Sequence, residues 1–291
     1  MRFFVRRLGV LCYRLLGVAA AVILFLTAAQ LFAHRHAQFY PDYPMTDLSA
    51  IPEQDRLSEE DYETLFLQTG LGKAGVDDLL SLGQPGKDQI LDTQTAFFAK
   101  TATDCGSLGI TTREDHVVDG DGNITYACPM APVEEGDVFL SFSTHTLGWR
   151  HGHAGVVVDA ANGRTLEAVL IGYDAATASV SHWSCYSTFL HLRVKDITPE
   201  EQEAIADYAM AHLDGVPYHL TSGVLGPDKV QDPDADSFGA QCAYLVWYAL
   251  YQGAGYDTDS DGGRIVTVGD LAESPLFEIV QVYGLDPRSF G

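Results

Sequence analysis

The chain has 291 residues, 46% hydrophobic and 20% charged, the composition of a folded globular protein with room for one sizeable domain and an appendage. Its formal charge of −23 is unevenly spread: the first 36 residues hold five arginines (Arg2, Arg6, Arg7, Arg14, Arg35) and no acid, so residues 37–291 carry 12 basic against 40 acidic groups, formally −28. A body this negative repels phosphate backbones and argues against nucleic acid as a partner.

The first element is an apolar helix. Leu15 to Phe32 contains no charge, and Gln30 is its only strongly polar side chain. Eighteen such residues reach the lower limit for a membrane span, and arginines in front of them favour an N-terminus held inside with the body exported. A cleaved signal peptide is the competing reading. The run exceeds a usual signal core, and no small-x-small site precedes His34-Arg35-His36, so residues 1–36 are expected to form an uncleaved anchor that also carries Cys12. Either way the body is expected outside the cytoplasm.

Residues 37–131 read as a tether followed by a helical and loop extension. His34 to Arg56 is the Pro-bearing tether. Ser58, followed by Glu59-Glu60-Asp61, is a helix N-cap, and Gly70 and Gly72 stop that helix. A second short helix is expected over Val76 to Leu82. Cys105 and Cys128 bracket the turn Asp119-Gly120-Asp121-Gly122-Asn123. In an exported protein a hairpin there would join the two thiols, which predicts a Cys105–Cys128 disulfide.

Residues 132–291 turn to strands. Asp137–Phe142, His153–Asp159, Thr165–Leu170 and Phe189–Val194 are β-rich runs between turn residues. Thr198-Pro199-Glu200-Glu201 starts a helix to about Leu213. A Gly-, Pro- and Asp-rich loop covers 214–239, and an apolar helix opens at Cys242. The sum is an α+β fold, a small antiparallel sheet with helices packed on one side.

Two residues carry the chemistry. A thiol at a helix start meets unpaired backbone N–H groups and the positive end of the helix dipole, which favour thiolate; the same N–H groups offer an oxyanion site. Cys242 has that position, with a core cysteine or a bridge to Cys185 as the alternatives. His153, 89 residues earlier, is the candidate base, with small Ala154 and Gly155 leaving room for a close neighbour. His151 is a rival on the same strand face. Glu167 is the candidate for orienting the imidazole, but it shares a face with His153 only if the intervening loop has an odd residue count. Asp257-Thr258-Asp259-Ser260-Asp261-Gly262 copies the opening of a calcium loop, yet its twelfth position is Val268, so no metal site is expected there; His182, His191 and His219 lack metal-ligand spacing.

Gly136-Asp137-Val138-Phe139, His153-Ala154-Gly155-Val156, Leu166-Glu167-Ala168 and Gln241-Cys242-Ala243-Tyr244-Leu245-Val246-Trp247, taken together, resemble the YiiX-type permuted papain-like amidases, circularly permuted relatives of the NlpC-type cell-wall peptidases. Histidine preceding cysteine is the order that permutation requires. The resemblance covers roughly Pro132 to Leu276, including Gly215-Val216-Pro217-Tyr218, and two positions depart from it: Ala243 stands where serine is commoner, and the 214–240 loop is long. It implies a papain-like catalytic domain with Cys242 as nucleophile, His153 as base and Glu167 as third member, no cofactor, and an amide substrate of cell-wall peptide or lipoprotein type. Tyr218 matches a tyrosine upstream of the nucleophile that lines the site; Trp149, beside Arg150, and His151 are expected at the cleft border. Two other classes stay open: a non-catalytic binding module with Cys242 bridged to Cys185, and an acyltransferase using the same machinery.

Overall fold

The computed structural model describes residues 2–35, 37–109, 111–224 and 228–290, with the backbone alone for residues 2–12, so the Cys12 thiol lies outside the described residues. The chain runs α1 (Arg2–Arg35), α2 (Glu59–Thr69), α3 (Lys73–Ser81), α4 (Gln84–Phe98), β1 (Ala102–Ser107), β2 (Thr112–Val118), β3 (Val138–Ser141), β4 (Thr144–Thr146), β5 (Trp149–Arg150), β6 (His153–Asp159), β7 (Arg164–Glu167), β8 (Ala176–Ser179), β9 (Phe189–Val194), α5 (Pro199–His212), α6 (Cys242–Ala254), α7 (Val268–Ala272) and β10 (Phe277–Tyr283). Short 3-10 turns cover Val180–Cys185 and Pro287–Phe290.

Local chemistry explains the helix ends. Ser58 and Asp61 form a capping box, the Ser58 hydroxyl accepting from the Asp61 N–H and the Asp61 carboxylate accepting from the Ser58 N–H, while Gly70 closes α2 in the left-handed conformation. Thr198 and Glu201 repeat the device on α5, with Pro199 in its first turn.

Six strands form one antiparallel sheet in the order β10-β9-β3-β6-β7-β8. One face, with Leu140, Ala154, Val156, Leu166 and Leu192, packs against Ile205 and Ala209 of α5 and Leu245, Tyr248 and Ala249 of α6. Helices on this face alone were expected, but the other face is also covered. Phe139, Val157, Phe189 and Tyr283 there meet Trp183, Tyr186, Val180 and Phe97 of α4. A second sheet, β1-β2-β4-β5, stands beside the first.

The stretch expected as a tether makes several contacts with the body. Phe39 N–H donates to Gly284 O at 2.7 Å, the Gln38 amide donates to the Tyr283 hydroxyl at 2.8 Å, and Leu48 is buried with Leu65, Leu71, Val76 and Ile90. Gly72 makes this possible for α3, because a Cβ there would lie 1.8 Å from the Ile279 carbonyl oxygen.

The expected Cys105–Cys128 bridge is not formed; both are free thiols. The hairpin joining β1 to β2 closes between Ser107 and Thr112, well before the Asp119–Asn123 turn. That turn sends the chain back along the opposite edge of β2, where Val118 pairs with Ile124 and Thr125 N–H donates to Val117 O. Cys105 and Cys128 therefore follow opposite edges of β2. Cys128 is buried near Gln281, and Cys105 faces His145.

Candidate active site

Cys242 is the first residue of α6 and His153 the first of β6, so both stand at element ends. His153 opens the strand expected over His153–Asp159, while His151 lies outside it. Gly152, at φ +77°, turns the chain between the two histidines and sends them to different partners. His151 Nε2 meets Thr146 Oγ1 at 3.0 Å and its Nδ1 the Gly152 carbonyl at 3.2 Å, and burial lowers its affinity for a proton.

The imidazole of His153, 5% exposed, is hydrogen-bonded through Nε2 to Glu167 Oε2 at 2.7 Å, and Cys242 is near enough to act on its charge. A bulge decides that Glu167 faces it. Val156 pairs with Leu166 and Val157 with Thr165, but Asp159 pairs with Arg164, so Val158 is an extra residue in β6. The four-residue loop 160–163 has the wrong parity; the bulge restores it and puts Glu167 on the face of His153. Gly155 makes the approach possible, since a Cβ there would lie 2.8 Å from both Glu167 Cγ and Trp183 Cζ2. Trp183 stacks on the His153 ring, centroids 5.3 Å apart and planes 8° from parallel.

The other Glu167 oxygen accepts from Thr165 Oγ1 at 2.5 Å and lies 3.5 Å from His182 Nε2. Burial alone would push this carboxyl up; hydrogen bonds from His153 and His182, and their charge, hold it well below the usual range. Burial alone would likewise push His153 down, and its interactions with Cys242 and Glu167 override it and hold the imidazole well above the ordinary histidine value. The two residues form a buried ion pair.

Gln241 caps α6: its Oε1 accepts from Ala243 N–H at 2.9 Å and from the Cys242 thiol at 3.5 Å, while its Nε2 donates to Val266 O at 2.6 Å. The Ala243 N–H, one of the helix-start N–H groups, is thus occupied. Tyr218 bridges to Ala240 just before α6, and its phenol is pushed above the tyrosine range by burial and then by the charge of Cys242. Trp149 is 70% exposed on β5, and the residue before it, Gly148, packs on α1. Cys185 is a free thiol, as is Cys242, so the bridge considered between them is not formed.

Four residues of this neighbourhood are given no part in the site by the sequence: Gln241, Thr165, His182 and Trp183. Gln241 adjoins the nucleophile candidate at an N-cap and was the one with a local signal. His182 and Trp183 arrive on a 3-10 turn distant from it in sequence.

Among the described residues, two groups bring possible metal donors together, His34-Cys105-Asp115 and Asp259-Asp261-Asp270. In the first, Arg150 already holds Asp115; in the second, Lys229 pairs with Asp259. Asp257 of the calcium-like loop accepts from the Trp247 indole N–H at 2.8 Å, and Val268 at the twelfth position is buried.

No family model matches the chain, and no curated protein matches it. Among solved structures it is similar to one described as the metalloprotein yiiX from Escherichia coli O157:H7, with 14% identity, a TM-score of 0.39, and coverage of 51% of this chain and 97% of the other.

Proposed function

We propose that the protein is a membrane-anchored, extracytoplasmic cysteine hydrolase that cleaves an amide bond through Cys242, His153 and Glu167. The observation that carries this reading is one buried imidazole bonded to a carboxylate and acted on by a thiol at a helix start. Glu167 occupies Nε2, which leaves the other ring nitrogen to serve the sulfur. His153, paired with Glu167, already holds the proton as imidazolium; the Cys242 thiolate attacks the amide carbonyl, and the imidazolium gives that proton to the departing amine, leaving a thioester and a neutral imidazole. Water, deprotonated by His153, then hydrolyses the thioester. Glu167 holds the ring and stabilises its charged form. The N–H of Cys242 is the oxyanion donor in this scheme.

The substrate class suggested is peptide amide of the cell envelope. Its support is steric: an anchor of the kind Tyr13–Arg35 provides, long and apolar enough to cross a membrane, would hold the site close to such material. The test compares wild type and Cys242→Ser on isolated envelope material, with newly released amines as the readout. Release by wild type only is expected; equal release by both removes Cys242 from the mechanism.

A further inference from the structure

The ribbon of β4 and β5 ends in Leu147-Gly148-Trp149, which the proposed chemistry does not use. Leu147 and Trp149 project outward, 42% and 70% exposed. This tip is seated on α1. A Cβ on Gly148 would come within 2.8 Å of the Ala29 backbone, Gly148 N–H donates to Gln30 Oε1 at 2.9 Å, and Arg150 Nη2 donates to Ala33 O at 2.6 Å. The Gln30 amide nitrogen bonds His145 Nδ1 at 3.0 Å. Both ends of the one strongly polar side chain in the apolar run are therefore taken up by this ribbon.

We propose that the Leu147–Trp149 tip inserts beside α1 into the outer boundary of the bilayer, with lipid as its partner. The inference rests on reading α1 as an anchor. Depth is its first argument. Ala29 and Gln30 precede Arg35 by six and five residues, so at about 1.5 Å per residue the tip sits about 8 Å along the helix from that arginine. The uncharged run of eighteen residues is about 27 Å long, and a hydrocarbon layer is about 30 Å thick. A run that short must use its whole length to span, which carries the level of Gln30 into the apolar layer.

The second argument is backbone satisfaction. A loop entering lipid must pair its own polar groups, because no water is there to do so. Leu147 N–H donates to Thr111 O at 3.3 Å, Gly148 N–H to Gln30, and Trp149 pairs with Thr146 across the ribbon. The side chains left facing outward are a leucine and a tryptophan, and tryptophan favours the membrane boundary, where its ring is buried and its N–H stays wet.

The test uses the full chain in phosphatidylcholine vesicles with plain or brominated acyl chains, reading tryptophan fluorescence. Trp183 and Trp247 are buried in the body, so Trp149 is the reporter. Wild type is expected to lose emission in brominated vesicles, and Trp149→Phe to lose none. A second variant adds Phe25→Trp, on an exposed position of α1, to Trp149→Phe and reports on the anchor itself. Quenching of the Phe25→Trp reporter without quenching of Trp149 overturns the insertion and leaves the anchor standing. Quenching of neither overturns both.

Discussion

Two buried clusters in this protein contain a cysteine, a histidine and an acid, and they are built to opposite ends. At Cys242, the imidazole of His153 gives Nε2 to Glu167, and both Glu167 and Cys242 favour its charged form. At Cys105, the thiol and Asp115 meet the same nitrogen of His145, Nε2, at 3.7 and 3.4 Å, while Nδ1 is occupied by the Gln30 amide. Asp115 is further held by Arg150 at 2.6 Å and by His34 at 2.8 Å. Burial lowers the proton affinity of His145, with Arg150 adding to it against the pull of Asp115; burial, with Asp115 alongside, pushes the Cys105 thiol up to about 12. In the proposed chemistry one cluster passes a proton; the other clamps α1, β2 and β5 together. Residue types do not separate the two; which ring nitrogen faces which partner does.

The largest effect that sharpens this contrast is on activity. Cys242→Ser should lower amine release at least about 1000-fold, and Cys105→Ser should leave it within about twofold, because loss of a nucleophile removes the covalent route whereas a neutral, clamped thiol takes no part. Iodoacetamide mapping by mass spectrometry should find Cys242 modified first in the folded protein. Preferential modification of Cys105 would break the comparison.

Glu167→Gln comes next, with activity down about 100- to 10,000-fold and stability down by about 3–5 kcal/mol, since it leaves a buried imidazolium unpaired. The pH dependence has a definite sign. Glu167 is depressed from 4.5, so its contribution is present above that value and fades as the pH falls below it. His153 is raised from 6.5, so its contribution is complete below that value and fades as the pH rises through the folded one. The difference in melting temperature between wild type and Glu167→Gln should therefore be greatest between about 4.5 and 6.5 and shrink on both sides. A difference flat with pH would show that the pair is not ionised.

Asp115→Asn should cost about 3 kcal/mol in thermal or denaturant unfolding by removing the buried carboxylate that the half-buried Arg150 pairs with, with amine release at permissive temperature unchanged. A matching loss of activity would mean that the clamp also shapes the site. The smallest expected effect is that of Gly155→Ala, about 1–3 kcal/mol from forcing a methyl against Glu167 and Trp183, with activity falling as the His153–Glu167 contact opens.

The comparison also marks how far the amino-acid string can be read. Ser58, Thr198 and Pro199 announced α2 and α5, and the β-rich runs at 153–159 and 189–194 match β6 and β9, because caps and strand periodicity act over a few neighbouring residues. Helix α4 and strands β8 and β10 carried weaker local signals, and their places are set by partners remote in sequence. The Cys105–Cys128 expectation failed for the same reason: a turn near the midpoint of a loop does not reveal a second turn before it that places the thiols on opposite edges of β2. By itself the sequence determined an apolar N-terminal helix, an acidic body, and a histidine and a cysteine of the right kinds at element boundaries. Only the tertiary structure decided that Glu167 faces His153, through one extra residue at Val158, and that Gln30 and Asp115 join α1 to the body. Strand register and buried polar pairing are settled by contacts between distant segments, which no local pattern encodes.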